Sequence, residues 1–233
     1  MNKDDVRSGI AKSWELIKAL TLHEAFSNPM PMKASEEFLS AVFDPDITYE
    51  EVYLTGLSNT DYNLLLRDYS YLQFSLGDVA HVRYGYYPNP FLGASPTAIA
   101  ELEELRTYLD EGAVSMEEYL AKVAELRKSQ HPPLLRYENA PSQYAEFSHP
   151  CSHLHLGHHD SNRWAVQRVL TPLAFSMLVA RHFYAEAWFS AGSLTLFGKT
   201  QSPDTYLADT KLDCRVLPEE HFSKSEGLLF SLG

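Results

Sequence analysis

Cysteine occurs only twice in the 233 residues, at Cys151 and Cys214. Two thiols cannot form a disulfide framework that substitutes for a hydrophobic core, so both are expected to be reduced. Positive charge is also scarce: 19 Lys and Arg face 31 Asp and Glu, a formal charge of −12. Such a field repels phosphate, which excludes non-specific adhesion to nucleic acid or anionic membrane and leaves RNA reachable only through a local basic face. The same balance suits a basic protein partner, or simply solubility. No apolar run approaches the ~20 residues that cross a bilayer. The start, Met1-Asn2-Lys3-Asp4-Asp5, is polar where a signal peptide would be apolar, so a cytoplasmic location is expected. A glycine-rich phosphate loop, a Gly-x-Ser-x-Gly elbow, a Cys-x-x-Cys pair, internal repeats and low-complexity tracts are all missing. Nothing in the chain indicates an oligomeric state.

What is present suffices for a core: 45% of the residues are hydrophobic and 12% aromatic. With no linker visible, the expectation is one α+β domain over 1–233, helical over about 1–60, with a sheet-containing core over about 61–200 and an irregular tail over 201–233. Val6, Ile10, Trp14, Ile17 and Leu20 step by three or four, which predicts an amphipathic helix over roughly 5–26. Ser35 caps a short helix carrying Phe38, Leu39, Val42 and Phe43, and Thr48-x-x-Glu51 is a capping box for another through Leu54. From Tyr71 to Leu76 the texture alternates, Gly77-Asp78 signals a hairpin, and Val79 to Tyr87 alternates again. A helical hairpin follows, opened by Ser95-Pro96 with Ile99, Leu102, Leu105 and Leu109 on one stripe. Gly112 stops that helix, and Ser115-x-x-Glu118 opens its partner with Tyr119, Leu120, Val123 and Leu126 inward. Strands are expected from Leu134 to Glu138, from about His149 to Leu156 and from Leu194 to Phe197. Thr171-Pro172 starts the most apolar helix, roughly 172–190, whose Leu173, Met177, Leu178, Phe183, Tyr184 and Trp188 mark it as the central buried helix. The fold class is therefore an antiparallel sheet with an inserted helical hairpin and an apolar helix packed on one face.

Strand parity locates the chemistry, because residues at i, i+2 and i+4 share a face. His149, Cys151, His153 and His155 fall on one side of their strand, opposite Leu154 and Leu156. Arg136 and Glu138 oppose Tyr137, and His81 and Arg83 oppose Val82 and Tyr84. If the three strands share a sheet with Leu154, Tyr137 and Tyr84 inward, one face gathers His81, Arg83, Arg136, Glu138, His153 and His155. A two-residue turn at Gly77-Asp78 conflicts with this, since it pairs Leu76 with Val79 and sets Phe74 beside His81.

Three readings of the histidines compete. His153 and His155, roughly 6.6 Å apart along a strand, can share one divalent metal ion if Glu138, His158, His159 or Asp160 adds a ligand. Alternatively they act without metal as general base and acid on a phosphoester, with Arg136 or Arg83 stabilising charge on phosphorus. The third reading is a sheet face that is merely polar and wet. Cys151 is a candidate nucleophile if a neighbouring imidazolium lowers its pKa, although a free cysteine also serves as a small core residue. His158-His159-Asp160 reads as a polar turn, and Arg181, beside His182, as a buried paired charge.

Four stretches carry a family resemblance: Arg83-Tyr84-Gly85-Tyr86-Tyr87-Pro88-Asn89-Pro90-Phe91, Leu135-Arg136-Tyr137-Glu138, His149-Pro150-Cys151-Ser152-His153-Leu154-His155-Leu156-Gly157, and Leu170-Thr171-Pro172-Leu173 ahead of Arg181-His182-Phe183-Tyr184. Together, over roughly 70–190, the sequence resembles the bacterial family named domain of unknown function 2290. That resemblance carries no assigned activity; it implies a bacterial protein from a mobile or phage-defence locus. The Arg-Tyr-Glu strand before a His-x-His strand is also similar in outline to small bacterial toxin nucleases. The favoured reading is thus a histidine-dependent, endoribonuclease-like phosphoester-processing protein of defence or toxin–antitoxin biology. Its catalytic residues are His153, His155, Arg136 and Glu138, its binding residues His81, Arg83, His149 and Tyr137. Its cofactor is either none or a divalent metal ion held by His153 and His155. The alternative is a non-catalytic acidic subunit that binds a protein partner, with no membrane contact in either case.

Overall fold

The computed structural model describes residues 1–77, 81–91, 96–126, 132–158 and 162–230, with 96–99 known by backbone alone. Asp78, Val79, the cap at Ser95, the side chain of Ile99, His159 and Asp160 therefore lie outside the described residues. The chain opens with α1 (Lys3–Ala19) and β1 (His23–Phe26), then two short helices, α2 (Glu36–Phe43) and α3 (Tyr49–Ser58). β2 (Leu64–Leu66), β3 (Tyr71–Leu76) and β4 (Val82–Tyr87) follow, then the helical hairpin α4 (Pro96–Asp110) and α5 (Met116–Leu126). β5 (Leu135–Asn139), β6 (Ser152–Leu156), β7 (Trp164–Ala165) and β8 (Arg168–Val169) lead into α6 (Pro172–Phe183) and α7 (Ala185–Ser190). β9 (Leu194–Leu196), β10 (Lys199–Gln201), α8 (Pro203–Asp213), β11 (Arg215–Val216) and α9 (Lys224–Phe230) complete it.

The chain divides into two compact units. The first comprises Met1–Lys33, Tyr62–Tyr87 and Leu134–Gly233. Its centre is a seven-stranded antiparallel sheet in which β1 to β7 neighbour one another in chain order. The expected common face of these strands holds, and the register pairs Tyr84 with Tyr137 and Tyr137 with Leu154. Those rings pack against α6, where Phe175 lies 5.8 Å from Tyr84 and 6.3 Å from Phe74 between ring centres. α1 packs on α6 as well, and closely: a Cβ on Gly9 would sit 2.6 Å from the Pro172 ring, so only glycine allows this approach. The second unit, Ala34–Asp61 with Pro88–Pro133, is helical. Its capping boxes at Thr48 and Ser115 form as the sequence predicts. Among the described residues, no helix is long and apolar enough to cross a membrane.

Several sequence expectations are corrected. α1 ends at Ala19, with Thr21 in the left-handed region (φ 56°), and His23–Phe26 is a strand paired to β2. The apolar period that suggested a longer helix belongs to a strand folded back on it, with Phe26 stacked 5.3 Å from Trp14. In α2 only Phe38 is buried, and Leu120 on α5 is exposed, one position off the inward stripe of Tyr119 and Val123. Leu76 pairs with Val82, so the β3–β4 connection is five residues long, which leaves Phe74 opposite Tyr84 in the core and removes the conflict with His81. The helix from Thr171 breaks at Tyr184 (φ −126°, ψ 46°), whose hydroxyl is tied to Asp68 at 2.9 Å. Phe183, expected in the core, is only half-buried on Tyr86, and Leu154 and Leu156 are half-buried beside the two-residue β7. The tail expected to be irregular holds α8 and α9. Ser202-Pro203, which caps α8, repeats the signature of Thr171-Pro172 and was legible in the sequence.

Candidate functional site

Register builds the site on the sheet face away from α6. Arg83, Glu138 and His153 lie side by side on β4, β5 and β6, and Gly85, Arg136 and His155 form the next row. Alternation aims all of these side chains to one face. At Gly85 a Cβ would collide with the Tyr87 ring, so this glycine lets that ring lie across the strand next to Arg136.

Glu138 is the hub. Its Oε1 accepts from His81 Nε2 at 2.5 Å and from Arg83 Nε at 3.0 Å, and its Oε2 lies 3.9 Å from His153 Nε2. His153 Nδ1 lies 2.7 Å from the Pro150 carbonyl. A carbonyl only accepts, so Nδ1 carries the proton and Nε2 presents a lone pair. The His153 ring meets His149 and His155 edge-on, at 5.1 and 4.7 Å between centres. Exposure grades from rim to interior: the Arg83 side chain is 53% exposed, those of His81 and Glu138 18%, and His153 0%. Arg136 Nε, His149 Nδ1, His153 Nε2 and His155 Nδ1 are buried with no hydrogen-bond partner among the described residues.

Burial opposes the charge on Glu138, but the Arg83 charge and the hydrogen bonds from Arg83 and His81 outweigh it and hold the carboxyl below its usual range. Burial lowers the pKa of His153. Burial, then the charge of Arg136, pushes His155 down to about 4. Both rings are therefore neutral at neutral pH, the form that ligates metal or accepts a proton.

Of the expected residues, the fold brings together His81, Arg83, Arg136, Glu138, His149, His153 and His155. It does not bring in Tyr137, whose ring lies in the core and whose hydroxyl receives the Leu170 N–H at 2.9 Å and pairs with Ser152 at 2.7 Å. Nor does it bring in Cys151, which precedes β6, packs with Val169, Leu217 and Phe222, and has a pKa raised by burial to about 11. The strand begins only at Ser152, so parity counted from His149 does not apply to Cys151. Arg181 pairs with Asp204 at 3.0 Å. Arg163, which acts electrostatically on His153 and His155, escaped sequence analysis because it sits in an irregular segment before β7. A separate groove of about 700 Å³ among α1, β10 and α8 is lined by none of the histidines. Its lining mixes Asp4, Asp5, Asp209 and Asp213 with Lys12, Lys199 and Arg215, whereas among the described residues the close-set His and carboxylate atoms are those of Glu138, His153 and His155, so the histidine face is the better site.

Fold and site thus define a meandering antiparallel α+β protein with a Glu–His–Arg cluster on the sheet face away from α6. The chain belongs to the family described as Uncharacterized conserved protein (DUF2290), whose model matches residues 22–223. Neither a curated protein nor a solved structure matches it.

Proposed function

We propose that the histidine face processes phosphoesters, with RNA as the substrate class. The observation that carries this reading is electrostatic: on a chain of net charge −12, the guanidinium groups of Arg83, beside Glu138, and of Arg136, acting on His155, share one sheet face with two neutral histidines. A local basic face is what lets an acidic protein hold a phosphate. The phage-defence or toxin–antitoxin setting rests on the motif resemblance alone.

The burial gradient redistributes the expected roles. His153 is enclosed, whereas His81 lies at the rim with Nε2 held by Glu138, leaving Nδ1 as the lone-pair nitrogen. In this reading His81 Nδ1 takes the proton of the attacking hydroxyl while Glu138 orients the ring. The new P–O bond forms as the bond to the leaving oxygen breaks, and that oxygen takes a proton from water. Arg83 and Arg136 balance the charge that develops on the non-bridging oxygens. His153 and His155 stand behind Glu138.

An RNA oligonucleotide assay over a pH series tests this. Cleavage by the full chain is expected, with His81→Gln lowering kcat by ~10²-fold or more and Arg83→Gln mainly raising KM. An inert parent chain, or a His81→Gln variant as active as the parent, overturns the reading. The alternative, a non-catalytic acidic subunit, is favoured by Leu228 and Leu229 on α9, 86% and 68% exposed. It takes the lead if the parent chain is inert and a basic partner co-purifies.

A further inference from the structure

The geometry points to a resident divalent ion of the zinc class bound by Glu138, His153 and His155. This rests on the phosphoester reading only for its purpose; the site itself is argued from geometry. One ligand atom from each of the three residues lies within 4.8 Å of the others. Ligands around a four-coordinate ion at about 2.1 Å stand roughly 3.4 Å apart, and His153 Nε2 and Glu138 Oε2 already lie at 3.9 Å. Small side-chain rotations close the set.

The tautomer is the second argument. With its proton on Nδ1, held by the Pro150 carbonyl, His153 points a bare lone pair at a carboxylate oxygen. Two acceptors facing each other inside the protein repel unless a cation or a hydrogen-bond donor lies between them. Burial is the third. His153 is 0% and His155 9% exposed, and His153 Nε2 and His155 Nδ1 have no hydrogen-bond partner among the described residues. Buried acceptors of this kind call for a partner, and a cation at their centre supplies one to both.

The outer contacts have the form that supports metal ligands. His153 is fixed through its second nitrogen, and Glu138 is held through its other oxygen by His81 and Arg83, which leaves Oε2 directed inward. Three protein ligands leave a coordination position open, as in catalytic rather than structural sites. Arg136 and Arg163 disfavour a bare cation here, so a bound phosphate completes the charge balance, and the ion would act as a Lewis acid toward it.

The test uses the full chain, purified without a histidine tag or chelator. Elemental analysis is expected to find close to one zinc-class ion per chain. After removal with EDTA, calorimetric titration with Zn²⁺ should show one site, and Co²⁺ should give visible bands of a nitrogen–oxygen environment. Glu138→Gln and His155→Gln should each weaken Zn²⁺ binding by roughly tenfold or more, while His182→Gln, exposed on α6 and outside the site, should leave it unchanged. Circular dichroism separates lost ligands from lost fold; Glu138→Gln keeps the side-chain shape and is the decisive variant. No stoichiometric binding to the stripped chain, or parent-like affinity in Glu138→Gln, overturns the proposal. The two readings fail separately. Zinc bound by a chain inert on RNA sinks the phosphoester function and keeps the ion, whereas RNA cleavage by a stripped chain that binds no Zn²⁺ keeps the function and sinks the ion.

Discussion

Truncating Phe175 to alanine removes the ring on which one face of the sheet closes. Phe175 is fully buried in α6, and its ring centre lies 6.3 Å from Phe74, 5.8 Å from Tyr84 and 6.5 Å from Tyr137. Those three rings belong to adjacent strands β3, β4 and β5, which are held in register by hydrogen bonds and cannot collapse into the space. The variant should therefore lose ~3–5 kcal/mol, the transfer of the ring plus an unfilled cavity. Phe183, one helix end away, makes the control. It stacks 5.1 Å from Tyr86 but is half-buried, and water fills much of the space it would leave. Phe183→Ala should lose roughly 1–2 kcal/mol, in proportion to the area actually removed from water. Urea unfolding followed by far-ultraviolet circular dichroism and tryptophan fluorescence gives both values, with the m-value expected to stay constant. If Phe183→Ala proves as destabilising as Phe175→Ala, the helix does not pack as described and the core assignment fails.

Two further outcomes follow from buried polar groups. Tyr137→Phe keeps the ring but strands the Leu170 N–H and one partner of Ser152, so it should lose ~1–3 kcal/mol; a variant matching the parent in urea would contradict the hydroxyl network at the entry to α6. The second concerns the metal-free chain. The His155 pKa is pushed from 6.5 when unfolded to about 4 when folded, so the unfolded state takes up the proton first. Stability from this group is complete above pH 6.5 and falls as pH drops toward 4, by a total of about 3 kcal/mol. The depressed His153 contributes in the same direction. His155→Gln should flatten the stability curve over that range, and parallel curves for variant and parent would refute the assignment.

Much of the fold follows from rules that act within a few residues. Ser35, Thr48, Ser115 and Thr171 start helices because each side chain satisfies amides of its own first turn. Alternation in 71–76, 82–87 and 135–139 decides which residues can face a core, and it separates Glu138 from Tyr137 wherever the strand is placed. The sequence by itself therefore determined the type of most elements between Ser35 and Thr171, the antiparallel sheet with its helical hairpin, and the set of polar residues available to one face. Tertiary structure alone decided what those residues can do. The length of the 77–81 connection sets His81 against Glu138, a choice that a hairpin signal cannot make. The end of β6 at Ser152 sends Cys151 into a separate apolar cluster, and the break at Tyr184 moves Phe183 to the margin of the core. Tautomer, burial and pKa at His153 and His155 depend on Pro150, Glu138, Arg136 and Arg163 together, because desolvation and charge sum over neighbours in space and not along the chain.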